Sequence, residues 1–160
     1  ITEFLIKKDH SKIAIISGTG GPQQTRVSGY KAAISAAGLT PMIKIVDGFN
    51  EAGGMSAVNA IFEKAIKPTA IVATNDLMAI GALRSLKNLG LSVPQDVAVV
   101  GFDNIPAAAQ VHPPLTTIDR FQQNLGGVAA RLLLERLDGK NNGPSQAIEG
   151  KYQIIERESA

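Results

Sequence analysis

An α/β fold built on a doubly wound parallel sheet is what this sequence predicts, and three observations carry the prediction. Short apolar runs of β-branched character (Lys12 to Ser17, Pro41 to Val46, Ala70 to Ala73, Val97 to Val100) alternate with longer segments whose apolar residues recur at helical spacing. A turn of polar residues and glycine follows each run. The strand-plus-helix unit repeats at roughly 25 to 30 residues, the period that right-handed crossover units require.

In order, the opening ITEFLIKKDH is helix-like, with Phe4 and Leu5 set apart from Lys7 and Lys8 around a turn. The chain opens inside an element and on Ile, so it is expected to be an excised piece of a longer protein. KIAIIS reads as a buried strand ending at Gly18, GTGGPQQT as a loop, and Arg26 to Ala37 as a helix whose apolar face is Val27, Tyr30, Ala33, Ile34 and Ala37, stopped by Gly38. PMIKIV is the next strand and DGFNEAGG its turn. Met55 to Ile66 then sets Met55, Val58, Ile61, Phe62 and Ala65 on one face, and Pro68 follows it.

Ala70 to Asn104 is the most informative stretch. It reads as a strand, the polar turn Thr74-Asn75-Asp76, a helix from Leu77 to Leu89, a Gly90 stop, a strand from Val97 to Val100, and a second polar turn, Gly101-Phe102-Asp103-Asn104. Parallel strands put both turns on one sheet edge, where open α/β sheets bind ligands, so Asn75 and Asp103 are expected side by side.

Beyond Asn104 the alternation breaks down. IPAAAQVHPPLTTID is loop-like, with Pro113-Pro114 imposing an extended path and Leu115 to Ile118 fit for a short strand. Phe121 to Leu137 carries a continuous stripe of Phe121, Leu125, Val128, Ala129, Leu132, Leu133 and Leu137 that needs a partner surface. DGKNNGPSQ reads as a mobile, turn-rich loop, and Tyr152 to Ile155 as a last strand. A boundary is expected near Thr117 to Arg120, with residues 1–117 forming one complete unit. Residues 118–160 then contribute a helix and strand to a second unit whose remainder is absent.

Composition bounds the function. With 160 residues, 44% hydrophobic and 19% charged, the chain can bury a real core. A net charge of +2 without any Lys/Arg stripe does not point to a nucleic-acid or membrane surface. The absence of cysteine excludes disulfides and thiolate metal ligands and suits a reducing compartment. The apolar runs are far shorter than a membrane span, and no export signal is legible, so a cytoplasmic protein is expected.

Catalytic signatures are missing. The Gly18-Thr19-Gly20-Gly21 loop lacks the Lys-Ser/Thr pair of a phosphate loop and reads as a permissive turn. His10 and His112 stand in loops without the spacing of a zinc site, and Ser17 and Ser28 lack a nucleophile elbow. Asp76, just before a helix, reads as an N-cap, and Asp47 and Asp119 as turn residues. No enzyme, metal or cofactor is expected. Arg26, Asn75 and Asp103 are different: three βα units deliver a planar donor fork, an amide and a carboxylate to one crevice, a set suited to a polyhydroxylated or heteroaromatic small molecule. Phe49, stranded in the DGFNE turn, offers a stacking face. The plainer alternatives are a capped turn for Asn75, a surface ion pair for Arg26 and a core plug for Phe49.

Motifs along nearly the whole chain carry a resemblance. They are Arg26-Val27-Ser28-Gly29-Tyr30; Asp47-Gly48-Phe49 with Gly54; Thr74-Asn75-Asp76 with Ala79-Ile80-Gly81-Ala82; and Leu91-x-Val93-Pro94-x-Asp96-Val97. Val99-Val100-Gly101-Phe102-Asp103-Asn104, Pro114-Leu115-Thr116-Thr117-Ile118 and Arg157-Glu158-Ser159 complete the set. In order and spacing the chain resembles the lactose-repressor/galactose-repressor (LacI/GalR) family of bacterial transcription regulators, in its periplasmic-binding-protein-like effector region. The resemblance implies the carboxyl-terminal lobe of a two-lobed domain over residues 1–117, then a crossover to the other lobe. Most of that other lobe and the DNA-binding headpiece lie outside the chain.

It also implies roles. Arg26, Phe49, Asn75, Asp103 and Arg120 match family effector contacts, the effector being a sugar or a nucleobase. The GTGGP loop departs in length from many members, so no contact is carried over to Thr19 through Gln24. By the resemblance, homodimer contacts fall on Ile80, Leu83 and Arg84 of the helix after the TND turn, and on Ile105, Ala108 and Val111, with Leu83 equally able to face the sheet. Operator DNA is reached only through the missing headpiece. The competing expectations are a periplasmic sugar-binding protein of a transport system, which shares the fold, and a nucleotide-dependent enzyme of doubly wound fold.

Overall fold

The computed structural model describes residues 1–145, 147–148 and 150–160, with residues 122–124 as backbone only. Strands β1 (Ile13–Gly18), β2 (Met42–Val46), β3 (Ala70–Ala73) and β4 (Ala98–Val100) form an all-parallel sheet in the order β2-β1-β3-β4. The direction of winding reverses between β1 and β3. Helices α1 (Thr2–Lys7) and α2 (Gly21–Ala36) cover one face; α3 (Glu51–Phe62) and α4 (Asp76–Asn88) cover the other.

The core follows from the two-residue period of a strand. Ile13 and Ile15 of β1 pack with Leu5, Tyr30 and Ile34 on the α1/α2 face, while Ala14 and Ile16 pack with Val58, Ile61, Met78 and Leu86 on the α3/α4 face. Burial on both faces explains why β1 and β3 read as unbroken apolar runs rather than alternating ones. Tyr30 crosses into this layer with its hydroxyl satisfied: it donates to Ile13 O at 2.7 Å and accepts from Met42 N at 2.8 Å, tying α2 to β1 and to the start of β2.

Two helices start earlier than the sequence suggests. α2 begins at Gly21 instead of Arg26, because Gly20 at φ 102° turns the chain and Pro22 is compatible with a first helical turn. α3 begins at Glu51, capped by Asn50 Oδ1, which accepts from Gly53 N at 3.0 Å; it ends at Phe62, four residues before Ile66. Gly53 and Gly54 suggest a turn, yet they lie inside α3 because α4 passes close by. A Cβ at Gly54 would sit 2.1 Å from Met78 O, and a Cβ at Gly81 of α4 would sit 2.0 Å from Glu51 O.

After β4 the chain forms a 3₁₀ turn at Pro106–Ala109 and then β5 (Thr117–Asp119), α5 (Gln122–Leu137) and β6 (Gln153–Ile155), with β5 and β6 paired antiparallel through Ile118 and Ile154. α5 is the long helix the stripe predicts, and it leaves Leu133, Leu134 and Leu137 at 58%, 59% and 74% exposure. In the loop after it, Arg136 Nη2 donates to Gly143 O at 3.1 Å and Pro144 O at 2.7 Å; Gln146, within the segment expected to be mobile, lies outside the described residues.

The last residues return to the first sheet. Ser159 Oγ donates to Val99 O at 2.6 Å and accepts from Thr116 N at 2.8 Å, and Val99 N donates to Ser159 O at 2.8 Å. Arg157 reaches Leu115 O at 2.6 Å and Asn104 Oδ1 at 2.8 Å. Residues 157–160 thus pack against β4 and residues 115–116.

Candidate functional site

The carboxyl ends of β1 and β3, where the winding reverses, are where an open α/β sheet exposes a crevice. Arg26 arrives from α2, Phe49 from the turn before α3, Asn75 from the turn after β3, Asp103 from the turn after β4, and Arg120 from the residue after β5. Hydrogen bonds join them in two groups, Arg26 with Asp103 and Arg120, and Asn75 with Phe49. Arg26 donates to Thr74 O through Nη1 and to Asp103 Oδ1 at 3.4 Å through Nη2; Arg120 Nη2 donates to the same Oδ1 at 2.9 Å. Asn75 Nδ2 donates to Phe49 O at 2.9 Å, and Asn75 Oδ1 accepts from Met78 N at 2.7 Å.

These contacts sort the alternatives. Asn75 caps α4 and also anchors the Phe49 turn, so its amide is a positioning group at the edge of the crevice. Arg26, at 15% side-chain exposure, is no surface ion pair; burial lowers its pKa against the opposing pull of Asp103, and a guanidinium keeps its charge regardless. Phe49 is 40% exposed and lies over Gly18, where a Cβ would come within 2.4 Å of the ring, so it presents a face instead of plugging the core.

Asp103 holds φ 118°, a region that residues with a Cβ rarely adopt, and such strain of about 1–3 kcal/mol persists where surrounding contacts over-determine it. Those contacts are visible. Asp103 N donates to Ile118 O at 2.9 Å, Gly101 N to Thr116 O at 2.9 Å, and Asp76 N to Phe102 O at 2.9 Å.

Asp76 corrects one sequence expectation. It is not the N-cap, which is Asn75; it is the first residue of α4 and almost wholly buried. Its Oδ1 accepts from Thr117 Oγ1 at 2.6 Å and its Oδ2 from Ile105 N at 2.9 Å. Burial pushes its carboxyl up from 3.8, with the charge of Asp103 adding and the hydrogen bonds opposing. The Asx dipeptide gave no signal for which residue would cap.

Phe102 went unnoticed in the sequence as a site residue. Its ring centroid lies 4.0 Å from the Arg26 guanidinium carbon and 5.4 Å from that of Arg120, so both cations rest on one aromatic face system. Phe102 and Ile118 line two cavities. One, of about 270 Å³, includes Arg26, Tyr30 and Thr74; the other, of about 440 Å³, includes Arg120, Leu125, Lys151 and Tyr152. Phe49, Asn75 and Asp103 line neither.

Of the residues expected at a dimer contact, Ile80, Leu83 and Ala108 are buried within this chain, the last two in the α3/α4 core; Ile105 and Val111 pack half-buried against that core. Arg84 is exposed and pairs with Glu51. Among the described residues no group of three or more His, Cys, Asp or Glu could hold a metal ion, and no helix is long and apolar enough to cross a membrane.

An open parallel sheet with polar turns converging at its switch point defines a class of ligand-binding domain, and the family model described as periplasmic binding protein-like domain matches residues 2–160. The chain belongs to this family, in its LacI/GalR branch of regulators. It is 36% identical over 160 residues to the HTH-type transcriptional repressor PurR of Vibrio atlanticus, covering 98% of this chain and 48% of that protein. It is 37% identical over 140 residues to the ribose operon repressor of Escherichia coli K12, covering 85% and 42%.

Among solved structures, a putative transcriptional regulator LacI from Bacillus cereus superposes with a TM-score of 0.92 at 30% identity, covering 99% of this chain and 57% of that one. The regulator CelR in complex with cellobiose superposes at 0.91 and 33%, covering 99% and 50%. The chain spans about half the length of the curated relatives it matches.

Proposed function

We propose that this chain is the effector-sensing part of a cytoplasmic transcriptional regulator, which binds a sugar or purine-like molecule between two lobes and is not a catalyst. The observation that carries the reading is Asp103: a carboxylate on a strained backbone, in the turn after β4, between two guanidinium groups. A carboxylate accepts paired hydroxyl or ring N–H donors, and an adjacent guanidinium donates to ring oxygens. The relatives support it: one is named for the ribose operon, and a solved neighbour holds cellobiose. These relatives are named as repressors and regulators, which favours gene control over the transport alternative.

The exposed leucines of α5 and the small β5-β6 sheet fit elements of a second lobe, with residues 1–117 as the first. Closure of the lobes on the effector shifts a dimer between two arrangements, and an attached DNA-binding unit reads the difference. The outward residues Leu77 and Arg84 of α4 suit a homodimer contact. Thermal-shift screening of the full-length protein against sugars and nucleobases, with and without Asp103→Ala, tests the site. A stabilising ligand whose affinity falls at least tenfold in the variant is expected; unchanged affinity places the site elsewhere.

A further inference from the structure

The two guanidinium groups beside Asp103 are not equivalent. Arg26 is committed to Thr74 O, to Asp103 Oδ1 and to the face of Phe102. Arg120 gives Nη2 to Asp103, while its Nε is buried and has no acceptor. Buried donors in native folds are satisfied with few exceptions, so this orphan marks a guanidinium whose hydrogen-bonding capacity is not fully used within the chain.

The space beside Arg120 indicates what kind. The cavity of about 440 Å³ is of a size that suits small-molecule ligands. Its walls include the rings of Phe102 and Tyr152 and the aliphatic groups of Ile118 and Leu125; its charged lining is Arg120 and Lys151, with no carboxylate among the described lining residues. Aromatic walls accept the face of a ring. Arg120 keeps guanidinium donors beyond the Nη2 bond to Asp103, suited to an oxyanion, and Lys151 adds a point charge.

We propose that this cavity receives an anionic oxygen group of the effector, a phosphate or carboxylate carried on a ring-sized body, held by Arg120 and Lys151. The proposal rests on reading the Asp103 edge as the effector site, and narrows the effector from neutral sugars and bases to anionic derivatives of such molecules. Arg120 thereby becomes the specificity-determining residue. Asp103 accepts from hydroxyl or ring N–H groups of the same molecule, and Arg26 donates to its oxygens.

Titration calorimetry on the full-length protein tests this with inorganic phosphate, D-ribose 5-phosphate, D-glucose 6-phosphate and benzoate, against D-ribose and D-glucose. At least one anionic probe is expected to bind, the phosphates and benzoate separating a phosphate site from a carboxylate site. Arg120→Gln should weaken that probe at least tenfold more than any neutral sugar, Lys151→Gln several-fold, and Arg120→Lys should recover part of the loss. Melting curves of the unliganded variants separate lost contacts from lost folding. No anionic probe binding in an Arg120-dependent way, or equal loss of neutral and anionic probes, overturns the proposal. Neutral-sugar binding lost only in Asp103→Ala leaves the effector reading standing without the anion. Arg120-dependent anion binding indifferent to Asp103→Ala does the reverse.

Discussion

Thr117 donates its hydroxyl proton to Asp76 Oδ1 at 2.6 Å, so one buried carboxylate joins the start of α4 to the strand that leads toward Arg120. With Ile105 N on its other oxygen, Asp76 brackets the turn holding Phe102 and Asp103. Gly101 permits this approach, since a Cβ there would lie 2.2 Å from Asp76 Oδ1. The site therefore depends on a group that lines neither of the two cavities beside Phe102.

Asp76 also makes stability pH-dependent with a definite sign. Its carboxyl is raised above 3.8 chiefly by burial, so between that value and the raised one the folded state keeps a proton that the unfolded chain has released. Its contribution to stability is fully present below the ordinary value and is lost as pH rises through the raised one. Denaturant unfolding of wild type and Asp76→Asn should show wild type relatively most stable below about pH 4 and losing that advantage toward pH 7. A difference that grows with pH would be the wrong sign.

The α3/α4 crossing makes a second prediction. Gly81→Ala places a methyl 2.0 Å from Glu51 O, which is backbone and cannot swing away. Alanine is the better helix former by about 1 kcal/mol, yet the helices must part, and a net loss of about 2 kcal/mol or more is expected from urea unfolding. Gly54→Ala should behave alike, because its contact is the carbonyl of Met78.

Tyr30→Phe removes a hydroxyl that serves Ile13 O and Met42 N while leaving the ring's packing in place. The donor at Met42 loses its tyrosine partner where β2 begins, and a loss of about 1–3 kcal/mol is expected in the same assay.

Ser159→Ala tests the return of the chain end to the sheet. The hydroxyl is fully buried, gives to Val99 O and takes from Thr116 N, so its removal should cost about 1–3 kcal/mol and hasten amide exchange at Thr116. A surface-like effect below about 0.5 kcal/mol would show that residues 157–160 contribute little to the packed unit.

The alternation of strand and helix is legible from local pattern alone. Apolar runs bounded by glycine and polar turns specify parallel strands buried on both faces, and that topology alone brings Asn75 and Asp103 to one edge. The stripe on α5 was equally plain, because a 3.6-residue period is a local property. Tertiary structure decided the rest. Gly53 and Gly54 suggest a turn until the backbone of α4 is seen against them. Whether Asn75 or Asp76 capped the helix depended on Thr117 and Ile105 approaching from 41 and 29 residues away. The stacking of Arg26 and Arg120 on Phe102, and the orphan Nε of Arg120, arise only where three segments of the chain meet. No window of neighbouring residues contains that information.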